Sequence, residues 1–445
     1  MCVFRSRRVV LPDGERPAAI HVRDGRITAV TEYDEIPAAA DLVDAGDLTI
    51  SPGLVDTHVH VNEPGRADWE GFDTATRAAA AGGVTTIVDM PLNSIPATID
   101  VAGFERKREA ARGRCHVDVG FWGGVVPGNS AHLEPLASAG VRGFKCFLAP
   151  SGVEEFPPVS ESSLRDALRV LSRARAVPLL VHAELPGTLR PPGNLDLVDR
   201  RSYRTYLATR PESAEVEAIE LLARLAAEYR VPTHVVHLSS AGGVAAVAAA
   251  QARGLPVSAE TCPHYLTWTA DEVPDGATAF KCAPPIRTGE HRDALWVGLR
   301  RRTCGMVVTD HSPAPPSMKC LDTGDFLAAW GGISSLELSL AAVWTAALGR
   351  GLSTVDLSRW MSRAPAALCG LAGRKGTIVT GAEADLVVWD PDLAFTVVAD
   401  RLEQRHKSTP YHGRTLRGSV YATFVRGIRV WQAGKLDQGY QGRLL

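Results

Sequence analysis

Between Gly53 and His311, eight apolar, β-branched runs alternate with stretches rich in Ala, Leu, Glu and Arg, and this beat constrains the fold most. The runs are Gly53–His60, Val84–Pro91, His116–Val126, Val141–Leu148, Val177–Glu184, Val231–Leu238, Pro256–Tyr265 and Gly305–His311. Helical spacing marks intervals such as Asp68–Ala81, Glu161–Ala174, Pro211–Tyr229 and Ala241–Arg253. Strands separated by helices pair in parallel, because each helix carries the chain back to the edge where the previous strand began. Eight such units fill about the length of a (β/α)8 barrel. Pro52, Pro178, Pro232 and Pro256 stand at or before strand starts, which fits short loops on the barrel's N-terminal face.

The two ends differ from this pattern. Residues 1–51 carry short alternating segments broken by turn signals at Pro12-Asp13-Gly14 and Asp24-Gly25. After residue 373 short strands return at Gly376–Val379, Asp385–Val388, Val420–Val425 and Ile428–Val430. The expected architecture is an α/β TIM barrel over 52–373, with a small β-sandwich domain built from 1–51 and 374–445. The alternative is two unrelated, ragged termini. A formal net charge of -2 gives no field to recruit nucleic acid or an anionic membrane. The basic start lacks the apolar run of a signal peptide, and no stretch is apolar for long enough to span a bilayer. Eight cysteines stand singly without a Cys-x-x-Cys, which suits reduced thiols in a cytoplasm. The expected partner is therefore a small molecule.

Barrel chemistry sits at the C-terminal ends of strands. Strand one ends in Asp56-Thr57-His58-Val59-His60, and the period of two points His58 and His60 the same way. Strand five ends with His182 and Glu184, strand six with His237, and strand eight with Asp310-His311-Ser312. Any one buried histidine is usually structural; four, with an aspartate, at successive strand ends suggest a metal centre. Lys145, between Phe144 and Cys146, is costly to bury as an ammonium. It is either ion-paired at the barrel mouth, or neutral and carboxylated by carbon dioxide into a ligand that bridges two cations. In the second case His58, His60 and Asp310 hold one divalent ion and His182 and His237 the other. Such a centre activates water and polarises a carbonyl, while Asp310 carries the proton from the attacking water to the leaving nitrogen. Zinc suits these donors best; iron, cobalt and manganese also fit.

The segment Pro52-Gly53-Leu54-Val55-Asp56-Thr57-His58-Val59-His60-Val61-Asn62-Glu63-Pro64-Gly65 resembles the opening signature of the cyclic amidohydrolases. That group includes dihydroorotases, hydantoinases, dihydropyrimidinases and allantoinases. Gly82-Gly83-Val84-Thr85-Thr86, His237-Leu238-Ser239 and Glu260-Thr261-Cys262-Pro263-His264-Tyr265 extend the resemblance in order. It implies two metals, carboxylated Lys145 and, by analogy, a homotetramer. Asn62 stands where dihydroorotases carry a carboxylate-gripping arginine. With Met90-Pro91-Leu92-Asn93, Lys281-Cys282-Ala283-Pro284-Pro285 and Ala329-Trp330-Gly331-Gly332-Ile333, it is similar to the allantoinase branch.

That branch implies opening of the hydantoin ring of allantoin to allantoate. A hydantoinase or dihydropyrimidinase, or a non-catalytic assembly relative, are the alternatives. The resemblance makes Asn62 a substrate contact, joined by Ser312 and by backbone near Cys282 and Gly331. Arg66 either reaches the ureido arm of the substrate or serves as a helix cap or salt bridge. Glu184 either supports the metal site or is simply solvated. His264 and His311 are expected to make structural hydrogen bonds, and Cys146 and Cys282 to pack. Leu185 and Pro191-Pro192-Gly193 depart from the family pattern and leave the lid after His182 open.

Overall fold

The computed structural model describes residues 1–173, 177–193 and 197–445. The eight expected strands form a parallel ring: Leu54–Val59, Val84–Asp89, Asp118–Phe121 with Gly123–Gly124, Phe144–Phe147, Leu179–His182, Thr233–Val235, Val257–Thr261 and Met306–Val307. The third strand is broken at Trp122, so its first piece pairs with strand two and its second with strand four. Closure joins strand eight to strand one. Val59 and His311 form a parallel bridge, His60 donates its N–H to His311 O at 2.9 Å, and His311 donates to His58 O at 3.2 Å.

Each strand is shorter than its apolar run, because polar ends leave the ladder to build loops at the C-terminal face. After Thr261, for instance, Pro263 starts the short helix Pro263–Thr267, since it has no N–H for a ladder but suits a first helical turn. A helix follows every strand: Phe72–Ala81, Val101–Ala111, Leu133–Ala139, Glu161–Leu171, Glu212–Tyr229, Ala241–Ala252, Gly289–Arg301 and Ser339–Ala347. The fourth shows why. Leu164, Ala167, Leu168 and Leu171 recur at helical spacing and are buried, and Ser160 caps the start by accepting from Ser163 N. Ala174, the expected end of that helix, lies outside the described residues. The second helix has a weaker apolar stripe, but Asp100 caps it by accepting from Gly103 N at 2.7 Å.

Both chain ends share one nine-stranded sheet. Cys2–Leu11 pairs antiparallel with Gly14–Arg23, which turns through Asp24 and Gly25 into Arg26–Thr31. Those two turn residues have φ of 51° and 77°, the left-handed pair that a two-residue hairpin of matching twist requires. On its other side Cys2–Leu11 pairs parallel with Thr49–Pro52, which pairs with Leu386–Thr396 and through it with Thr415–Val425. Two strands separate Phe4 from Phe424, yet their rings meet edge to face at 4.9 Å. The sheet must therefore curl over itself. Phe4, Ile20, Ile50, Leu386 and Phe424 fill the core between its halves.

The expected strand Gly376–Val379 does not form. Lys375 is buried there in contact with Asp118 (2.7 Å), Glu383 (2.8 Å) and Asp385 (2.5 Å), and a Cβ on Gly376 would lie 2.4 Å from Ser362 O. These contacts pin the segment between the barrel and the small domain, where Ile378 joins the core of the curled sheet instead of a ladder. Among the described residues, no helix is long and apolar enough to cross a membrane.

Candidate active site

Strand geometry gathers the expected ligands at one end of the barrel. His58 lies within strand one and His60 just past it, with ring centroids 5.6 Å apart. Lys145 projects from strand four, His182 ends strand five, and His237 and Asp310 follow strands six and eight. His237 (φ 41°) and Asp310 (φ 46°) occupy the left-handed region although neither is glycine. Such backbone costs about 1–3 kcal/mol and persists only where surrounding contacts hold it, as they do where the chain turns out of the barrel.

His58 Nε2 lies 3.1 Å, and His60 Nε2 3.5 Å, from Asp310 Oδ1, and ligand atoms of all three are within 4.8 Å of one another. Ligands about 2.1 Å from a tetrahedral ion stand roughly 3.4 Å apart, so this spacing suits one cation. On the other side, His182 Nδ1 faces His237 Nε2 at 3.0 Å, and the His58 and His237 rings are 5.5 Å apart. Two carboxylates orient these rings from behind. Glu260 Oε1 meets His58 Nδ1 at 2.5 Å, which leaves Nε2 free to ligate. Glu184 Oε2 meets His182 Nε2 at 2.7 Å and leaves Nδ1 free. Arg210 grips the same carboxylate at 3.1 and 2.6 Å.

Electrostatics agree with ligation at His60 and His237. Burial pushes His60 down to about 4 and His237 well below its usual range, keeping both imidazoles neutral. Burial acts against His58 too, but Asp310 and Glu260 raise it to about 9; Asp310 is held ionised against its own burial by His58 and His60. Lys145 is fully buried, and burial lowers it to about 8. Its Nζ has no hydrogen-bond partner among the described residues, so the salt-bridge reading fails. An amine with no partner among four imidazoles and a carboxylate is costly unless another group completes it. The residues fit a metal centre.

The family model for the amidohydrolase family matches residues 49–430. The chain belongs to that family. It is 50% identical to an allantoinase of Streptomyces avermitilis, covering 100% of this chain and 98% of the relative. It is 42% identical to an allantoinase of Arabidopsis thaliana, covering 97% and 88%. Among solved structures, an L-hydantoinase (dihydropyrimidinase) from Arthrobacter aurescens superposes with a TM-score of 0.93 at 31% identity, covering 100% of this chain and 99% of that one.

In this amidohydrolase a cavity of about 530 Å³ opens onto His58, His60, His182, His237 and Asp310. Ser312 and Gly331 line it, and Ser312 Oγ donates to Asp310 Oδ1 at 2.9 Å. Asn62 lies one layer further back than expected. It is fully buried, accepting from Asn93 Nδ2 at 3.1 Å and donating to Pro313 O. Asn93 takes the place at the wall, and its Oδ1 has no partner among the described residues. Cys282 is also behind the wall, its carbonyl accepting from Tyr206 Oη at 2.7 Å, while Lys281 and Ala283 face the cavity. Burial raises the Cys146 and Cys282 thiols to about 12, as packing residues require.

Arg66 is a salt bridge to Glu155 that also holds Asn93 O at 2.8 Å and stacks on Trp69. Glu184 is fully buried, which excludes solvation. His311 is structural, its Nδ1 accepting from Ser335 N at 3.2 Å and Leu336 N at 3.3 Å. His264 differs from expectation: its ring is buried against Tyr265 and neither nitrogen has a partner among the described residues. Pro192, Leu189 and Arg190 bring the segment after His182 to the cavity rim. Glu260 and Asn93 stand inside family-like motifs, a signal visible in the sequence; Arg210 precedes a helix with no signal of its own.

Proposed function

We propose that this chain hydrolyses the hydantoin ring of allantoin to allantoate, using two divalent cations. The single observation that carries the chemistry is the fully buried Lys145 Nζ, without a protein partner, amid His58, His60, His182, His237 and Asp310. The substrate rests on the resemblance to allantoinases over the whole chain. His58, His60 and Asp310 would hold one ion and His182 and His237 the other, with Lys145 carboxylated between them. Zinc is favoured by imidazole and carboxylate donors. Bound there, the ions would supply acidification of water and polarisation of the ring carbonyl.

The remaining work falls to side chains and backbone. Asp310 Oδ1 takes the proton of the attacking water and delivers it to the ring nitrogen as the C–N bond breaks, so the ring opens to a carboxylate and a ureide. Ser312 Oγ holds the Asp310 carboxylate in place. The Gly331 peptide group offers an unpaired acceptor and donor to the ring edge, a match for a neutral cyclic amide. The protein is read as cytoplasmic and as a homotetramer, and sedimentation of the purified chain checks the assembly.

The deciding experiment offers allantoin, hydantoin, dihydrouracil and dihydroorotate in parallel to zinc-supplemented protein. Turnover of allantoin above the others supports the reading. Preference for dihydrouracil or hydantoin keeps the mechanism and removes the substrate, and silence on all four with no metal uptake removes both.

A further inference from the structure

Two lysines outside the ligand set, Lys281 and Lys319, are buried, at 8% and 4% exposed, and neither forms an ion pair among the described residues. An ammonium in such a place must replace its lost water with other oxygens. All but one of those oxygens come from residues 327–332 at the cavity wall. Lys319 Nζ donates to Gly332 O at 2.7 Å, Trp330 O at 3.0 Å and Lys281 O at 3.4 Å. Lys281 Nζ donates to Ala329 O at 2.5 Å and Leu327 O at 3.2 Å, and lies 4.9 Å over the Tyr206 ring.

The backbone bonds follow the same division. Trp330 N–H donates to Met318 O at 2.7 Å and Gly332 N–H to Lys281 O at 2.8 Å. Residues 330 and 332 thus turn both their polar groups toward the lysines. Gly331, between them, has neither its N–H nor its C=O in a hydrogen bond among the described residues, and it lines the cavity. We infer that Lys319, with Lys281, is a positioning residue for the hydrolysis: the pair clamps residues 327–332 so that the Gly331 peptide group faces the substrate. Lys319 stands behind the cavity wall and Lys281 in it, and both act through the backbone they hold. Burial lowers Lys281 to about 8 and Lys319 to about 7, as expected where carbonyls alone replace water.

The inference rests on the reading that the cavity binds a cyclic amide, and the test separates the two. Lys319→Met keeps the length of the side chain and removes its donors. With metal-loaded enzyme, KM for allantoin should rise about tenfold, the size expected for losing a buried charge-assisted contact, while kcat changes less than about threefold. Metal content should stay at the wild-type level, and backbone amides of 327–332 should exchange faster while the barrel strands do not. An unchanged KM in the folded variant, or a fall in kcat with loss of metal, overturns the inference. If Lys319→Met does not fold, Lys281→Met must show the same rise in KM and the same local exchange, and its failure to do so has the same force. Should wild-type protein prefer another ring, the substrate reading fails, and KM for that ring decides the clamp. Should it turn over none, the exchange measurement decides alone.

Discussion

Glu184→Gln isolates what the carboxylate behind His182 does, because it keeps the shape and removes the charge. Glu184 is wholly buried and joined to His182 at 2.7 Å and to Arg210 by two bonds, with the arginine side chain 19% exposed. Arg210 and His182 overcome the penalty of burial and hold the carboxyl at about 2, against an ordinary 4.5. That difference favours the ionised form by roughly 3 kcal/mol. The figure agrees with the ~3–5 kcal/mol lost when one partner of a buried pair is removed. The sign is that of a depressed carboxyl: the contribution is complete above about 4.5 and is lost as pH falls toward 2.

Denaturant unfolding of the metal-free protein at neutral pH should therefore show Glu184→Gln less stable by about 3 kcal/mol, with the gap to wild type narrowing as pH drops below 4.5. The same change acts on the site. A glutamine can donate to His182 Nε2 and so favour the tautomer that carries its proton on Nδ1, the atom facing His237. Metal affinity, read by competition with a chelator, should fall about 10–100-fold. A variant within 1 kcal/mol of wild type that also retains its metal affinity would refute the argument.

Lys145→Ala should lose metal and activity, with partial rescue by short carboxylic acids that fill the vacated space; full activity without rescue would exclude a bridging role. Asp310→Asn removes both a ligand oxygen and the proton carrier, and kcat should fall at least about 100-fold in protein whose residual metal is counted in the same sample. Glu337, pushed up to about 8 by burial with Glu403 adding to it, accepts from Glu403 N at 2.6 Å. Because its folded value is raised, stability should fall as pH climbs from the ordinary carboxyl range through about 8, and Glu337→Gln should flatten that slope in urea titrations.

Periodicity in the sequence determined the barrel and the placement of its polar strand ends, since a period of two or 3.6 is imposed by local backbone geometry. His58, His60, Lys145, His182, His237 and Asp310 were legible because each interrupts or ends an apolar run, where a side chain has no reason to be polar unless it faces the barrel mouth. The second rank was decided only in three dimensions. Glu260 reaches His58 across 202 residues, and Arg210 gains its meaning only when Glu184 is seen to be buried beside it. The same holds for Asn62 and Asn93, adjacent in space and 31 residues apart, where packing alone settles which amide meets the cavity. Gly376–Val379 carries the alternation of a strand, yet the buried ion cluster around Lys375 and the close approach of Gly376 to Ser362 keep it out of a ladder. Local pattern records which face of an element is apolar; which distant group satisfies a buried charge depends on how the elements close on one another, and only the folded chain contains that information.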